Sequence, residues 1–150
     1  MSRRRAVTTI VCVFAVSIGI IVFLSTVNYN SQVSVGGKVF LVDVAETKYL
    51  QERGFSGHAP ITDNEGMFFI FKEPDNYGFW MKDMLFPIDI LWMDADLKII
   101  HIEKNVKPDS YPKVFYPEAP ALYVLEISAG EAQKLQIKIG DTVKIVKKYF

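Results

Sequence analysis

The stretch Gly66-Met67-Phe68-Phe69-Ile70-Phe71 is followed, after a polar loop, by Gly78-Phe79-Trp80-Met81-Lys82-Asp83-Met84-Leu85-Phe86-Pro87-Ile88-Asp89-Ile90-Leu91-Trp92-Met93-Asp94. Residues 67–71 form an apolar run too short for a helix, which predicts a strand buried on both faces. Residues 87–93 predict a second one. Alternation puts Ile88, Ile90 and Trp92 on one face of it, and Asp89, Leu91 and Met93 on the other. Both faces are apolar, so this strand is central, and a carboxylate buried there without partners is costly. The nearest donors in sequence are the amides of residues 82–86 and the Lys82 ammonium.

Outward from this stretch the chain alternates short strands and turns. Pro74-Asp75-Asn76 reads as a turn, residues 79–81 as extended chain, and Asp94-Ala95-Asp96 as the turn of a hairpin into residues 97–103. Upstream, residues 33–35 and 38–44 flank Gly36-Gly37, whose tolerance of positive φ suits a two-residue hairpin. Residues 45–53 are rich in helix formers and Gly54 ends them. Downstream, residues 104–120 hold Pro108, Pro112, Pro117 and Pro120, with Tyr111, Phe115 and Tyr116 between. A long connection that aromatic is expected to pack over the sheet and border any groove. Residues 122–127 form a strand, Ser128-Ala129-Gly130-Glu131 reads as a capping box before a short helix ending at Leu135, and residues 142–146 close the domain. The expected fold is a β-rich α+β domain: a twisted antiparallel sheet or partly open barrel with two short helices.

Four motifs, G-M-F-F-I-F, W-M-K-D-M-L-F-P-I-D-I-L-W-M-D-A-D, Y-V-L-E-I-S-A-G and I-K-I-G-D-T-V, occur in this order. In them the chain resembles the domain-of-unknown-function family 192 (DUF192), over residues 38–146. Gly54-Phe55-Ser56-Gly57 departs from the Gly-Leu-Met of many members. The resemblance implies a compact β-rich domain, often behind a signal or anchor segment, with no established activity.

The chain has 150 residues, 17 of them basic and 17 acidic. Arg3, Arg4 and Arg5 come first, and no further charge appears until Lys38. Setting those three aside leaves 14 basic against 17 acidic residues, a domain of net charge −3. Such a domain, with no basic stripe, argues against nucleic acid as a partner. Residues 6–24 are uncharged and as a helix would span roughly 28 Å, close to a bilayer's hydrocarbon core. The expected organisation is a basic cytoplasmic tail (1–5), a transmembrane anchor (6–24), a tether (25–32) and an extracytoplasmic domain (33–150). The competing reading is a cleaved signal peptide, against which stand the length of the run and the lack of a small-x-small cleavage site after Leu24. Cys12 is the one cysteine and lies inside this run, which rules out an intrachain disulfide.

Catalytic sets are hard to find. No G-x-S-x-G or phosphate-binding glycine loop occurs, His58 and His101 lack zinc spacing, and Asp94-x-Asp96 fits a turn better than half a cation site. No metal or cofactor is expected. Asp89 and Glu126 each sit in a strand among large apolar residues, where carboxylates are seldom found unless paired. Facing one cleft they could act as an acid–base pair in an envelope hydrolase; as structural groups they would bind backbone amides or Lys82. Trp80, Met81, Lys82, Met84 and Trp92, with Asp89 and Glu126, are the candidate lining of a ligand groove. The expectation is a membrane-tethered domain that binds a cell-envelope ligand, a saccharide or another component. The alternatives are the hydrolase and an accessory subunit that receives a partner protein. Fractionation with N-terminal sequencing tests the tether: uncleaved chain in the membrane fraction is the expected outcome, and a soluble mature chain starting near residues 27–31 is the contrary one.

Overall fold

The computed structural model describes residues 31–147. They form a seven-stranded sheet in the order β6-β5-β8-β3-β2-β1-β9, with a separate pair β4-β7. The strands are β1 (Ser31–Val35), β2 (Lys38–Ala45), β3 (Glu65–Asp75), β4 (Phe79–Trp80), β5 (Ile88–Met93), β6 (Ile99–Val106), β7 (Val114–Phe115), β8 (Ala121–Ser128) and β9 (Lys144–Lys147). Two short helices, α1 (Lys48–Arg53) and α2 (Glu131–Lys134), complete the β-rich domain. Ser31 and Gln32, expected in the tether, already belong to β1.

The sheet is mixed, not antiparallel throughout. β2 and β3 run parallel, with Asp43 opposite Met67 and Ala45 opposite Phe69. Parallel neighbours need a crossover, and α1 lies in it. The β1–β2 hairpin forms as expected, with Gly36 and Gly37 at φ 59° and 79°. The sheet curls until its ends approach: Ile99 N donates to Asp141 O at 2.8 Å, Val143 N to Leu97 O at 2.9 Å, and Lys98 bridges Thr142.

Several boundaries move for local reasons. Helix α1 starts at Lys48, because Ala45 stays in the ladder and the Thr47 hydroxyl caps the amide of Leu50. β3 runs through Pro74 and Asp75, which the sequence reads as a turn, after a register shift beyond Ile70. Residues 104–120 are more regular than a bare loop. They contain the end of β6, a 3-10 turn at Pro108–Ser110, and β7, which pairs with β4. Phe115 is buried and Tyr111 meets Trp80 edge-on, whereas Tyr116 is exposed. Gly78 allows this docking, since a Cβ there would lie 2.5 Å from the Tyr116 ring.

Two cores flank the sheet. One includes Phe55, Phe69, Phe79, Ile90 and Trp92; the other includes Phe40, Phe68, Leu91, Leu125 and Ile127. β5 is buried along its whole length, as alternation of apolar residues on both faces demands.

Asp89 is fully buried on this strand, but its donors are not those nearest in sequence. Its Oδ1 accepts from Asn105 N at 2.7 Å and its Oδ2 from Ala132 N at 2.8 Å. Lys82 is exposed and takes no part. The capping box also fails to form. Ser128 remains in β8, Gly130 at φ 89° is the helix N-cap, and the Glu131 side chain binds Lys38 and Lys134. Asp89 therefore supplies from across the fold the acceptor that α2 lacks locally. Asp89→Asn keeps the shape but turns one charge-assisted acceptor into a donor facing an amide. The expected loss is about 1.5–3 kcal/mol in urea unfolding, and an unchanged midpoint would contradict this role.

Candidate functional site

Strand β8 is paired on both sides. Glu126 stands opposite Met67 of β3 and Ile90 of β5, so these three side chains share one face. Asp89 stands opposite Ile127 and projects to the other face. The two carboxyls, weighed as an alternative catalytic pair across one cleft, are therefore separated by the sheet, and both Asp89 oxygens are occupied by backbone amides. An Asp89/Glu126 acid–base pair is incompatible with this register.

Glu126 is 4% exposed, and its Oε2 is enclosed with no hydrogen-bond partner among the described residues. Burial pushes its carboxyl up to about 8, so the group is neutral over most of the acid range. It stands at the base of a pocket of about 300 Å³. Aromatic side chains dominate the walls: Phe55, Phe69, Phe71, Tyr77, Phe79 and Trp80. Phe69 and Phe79 meet edge-to-face at 4.9 Å, and Phe71 stacks on Tyr77.

Helix α1 and its end form the mouth. Lys48, Gln51, Glu52 and Arg53 line it, and Lys48 and Glu52 approach to 3.7 Å. None of the residues of α1 is buried; Gln51 ties the helix to the sheet by donating to Ile70 O at 2.7 Å. Gly54 ends α1 at φ 49°, and a Cβ there would lie 3.9 Å from Glu126 Oε2. Ser56 fixes the next loop by donating to Lys82 O at 2.8 Å.

Of the groove residues expected from sequence, Trp80, Met84 and Glu126 line this pocket. Met81 is buried behind it, Lys82 points to solvent, and Asp89 serves the opposite core. Trp92 is also fully buried. Its ring meets Phe79 edge-on and its Nε1 donates to Tyr77 O at 2.9 Å, so it supports the wall and offers no face to a ligand. Sequence reasoning missed the contribution of α1, Phe55, Phe69, Phe71 and Tyr77. The one usable signal was Tyr77-Gly78-Phe79, an aromatic pair around a glycine too tightly packed to carry a side chain.

A second hollow of about 290 Å³ shares Arg53 and Gly54 with the first and is lined also by Asp43, His58 and Met67. Burial raises the Asp43 carboxyl, the His58 charge opposes this, and Glu65 adds to it. His101 lies against the Trp92 ring and 3.4 Å from Glu103. Asp94 accepts from the amides of Asp96 and Lys98, the turn role weighed for it. Among the described residues no three His, Cys, Asp or Glu side chains gather as a metal site, and no helix is long and apolar enough to cross a membrane. The apolar run 6–24 lies outside the described residues.

The fold and site define a small mixed-sheet domain with one unpartnered acid in an aromatic pocket. The chain belongs to the DUF192 family, whose model, described as Uncharacterized ACR, matches residues 31–145. A crystal structure of a protein of unknown function from Novosphingobium aromaticivorans is similar, with a TM-score of 0.70 and 33% identity over 76% of this chain and 81% of that one. Another, from Sinorhizobium meliloti, is described as a putative transcription regulator and has a TM-score of 0.71 and 27% identity, over 77% of this chain and 92% of that one. No curated protein matches the chain.

The buried acid has a testable pH signature. Its folded value, about 8, lies above the ordinary 4.5, so between these limits the native state holds a proton that the unfolded state has lost. Stability must fall as pH rises through that window, by up to about 1.4 kcal/mol per pH unit for this group. Glu126→Gln removes the contribution. The stability difference between wild type and variant should shift against wild type from about pH 5 to 8 and flatten above. A difference independent of pH would mean that the carboxyl meets water or a donor.

Proposed function

We propose that this domain is a small-ligand binding module and that the Glu126 pocket receives the ligand. One observation carries the reading: a buried carboxyl oxygen without a partner at the base of an aromatic pocket. Buried polar groups are nearly always satisfied, and an orphan costs about 1–3 kcal/mol. A ligand group that reaches Glu126 recovers that cost, whereas an apolar residue in its place would have avoided it. Aromatic walls with one polar anchor are the usual composition of a small-molecule site.

The pocket favours a ligand less polar than the saccharide expected from the tryptophan content. Trp92 is covered, which leaves Trp80, 49% exposed at the mouth, as the one tryptophan able to stack on a sugar. We therefore read the buried part of the ligand as a compact, mainly apolar or aromatic group that carries one polar atom for Glu126, and reserve the mouth, with Lys48 and Arg53, for a more polar end. The basic start and apolar run at residues 6–24 support a membrane-tethered form of the module, with the pocket on the extracytoplasmic side and an envelope component as ligand.

A fragment screen by thermal melting of the full-length protein tests this. A true ligand at a hundred times its Kd adds about 2.7 kcal/mol of stability. Trp80→Ala, at a half-exposed wall position that meets Tyr111, should cost the free protein about 0.5–1.5 kcal/mol and weaken ligands that fill the mouth. Hits that bind wild type, Trp80→Ala and Glu126→Gln equally would place the site elsewhere.

A further inference from the structure

We propose that α1 is a hinged lid over the Glu126 pocket, latched by Gln51 and swung on residues 46–47 and Gly54 to admit the ligand. This rests on the binding reading above and names the step that controls access to the same site. Oε2 of Glu126 is closed to solvent, although the residue lines the pocket. Gly54 stands close over it, where a Cβ would come within 3.9 Å of Oε2 and 3.7 Å of the Phe69 ring. A ligand group therefore meets Glu126 once the end of α1 has moved aside.

The helix is placed to move as a unit. It stands over two hollows instead of a packed core: Gln51 and Glu52 wall the first, Leu50 the second, and Arg53 both. None of its residues is buried, and Tyr49 is 67% exposed. Its local contacts travel with it, since the Thr47 hydroxyl caps Leu50 N and Lys48 meets Glu52. Its hold on the sheet is the Gln51 amide, which donates to Ile70 O at 2.7 Å and to Ala45 O at 3.4 Å. Both acceptors are main-chain groups, so the latch releases and re-forms without disturbing either core. Fixed points lie on either side. Ala45 is buried in the ladder opposite Phe69, and beyond the helix Phe55 is buried against Phe86. Gly57 N then donates to Asp83 O at 2.9 Å. Between helix and anchor is Gly54 at φ 49° and ψ −137°, a conformation that strains any residue with a side chain. Changes of φ and ψ at a few such positions turn a whole segment, and elements with few buried contacts open at low cost.

The test places a thiol beneath the lid. In the full-length protein Cys12→Ser removes the native thiol, and the Glu126→Cys variant on that background is treated with iodoacetamide at constant pH. Gln51→Met keeps the bulk of the latch but has no donor for the two carbonyls. Val42→Cys, in the opposite core, reports global unfolding. The expected result is slow alkylation at position 126 that Gln51→Met speeds by at least about tenfold, with a much smaller change at position 42. Met67→Cys, opposite Glu126 and lining the second hollow, gives the same reading where a thiol at 126 is not tolerated. Equal acceleration at both positions means that Gln51 holds the whole fold, which overturns the lid. Alkylation at 126 that is fast and indifferent to Gln51→Met, or absent in both forms, overturns it as well, because the pocket then stands open or stays shut. These rates are read without a ligand, so a failed lid leaves the binding reading to the fragment screen, and a failed screen leaves the lid to the rates.

Discussion

Strand β8 has neighbours on both sides and apolar cores on both faces, so the side chains of its middle, Val124 to Ile127, are buried in one core or the other. β5, beside it, is under the same constraint. A carboxyl on either strand cannot swing out to water, and its surroundings are dictated by the parity of its position. Asp89 faces one core and Glu126 the other, and they meet opposite fates. Asp89 finds two amides, at the end of β6 and the start of α2, whereas Glu126 meets aromatic rings and empty space.

The two fates correspond to two kinds of work. Asp89 ties the end of β6 and the start of α2 to the central strand, at positions 16 and 43 residues away in sequence. Charge-assisted bonds of this kind hold long-range architecture in place. Glu126 has no such role. An isosteric apolar residue would pack its site at lower cost, which is the physical basis of the proposed binding role. Strain and unsatisfied groups of this sort concentrate at binding and catalytic sites, where folding stability is traded for a prepared contact.

The cover of the pocket differs in character from its base. The base is built on strands paired to both sides, whereas α1 has no buried residue and is tied down chiefly by Gln51. Weakly packed elements are the ones that open at low cost. Gly54, at the end of α1 and close above the Glu126 carboxyl, keeps the roof low without filling the pocket. The Glu131 carboxyl on the far side of the sheet shows the contrast. Burial raises it, yet bonds to Lys38 and Lys134 and their charges bring it below its ordinary value.

Much of the architecture was legible in residue order alone. Alternation and apolar runs located the strands around Phe69, Ile90 and Leu125, and Gly36-Gly37 marked the first hairpin, because these signals depend on near neighbours in the chain. The same alternation marked Asp89 and Glu126 as acids in apolar strands. Which face each occupies relative to the other depended on the pairing of β5 with β8, and register is set by the packing of the whole sheet. Likewise the acceptor for Asp89, the parallel step at β2–β3, the burial of Trp92 and the roof formed by α1 arise from contacts between segments remote in sequence. Sequence determined that two carboxyls would be buried; only the tertiary structure decided that one is satisfied and the other waits at the base of a pocket, since hydrogen-bond partners are supplied by folding and not by sequence neighbours.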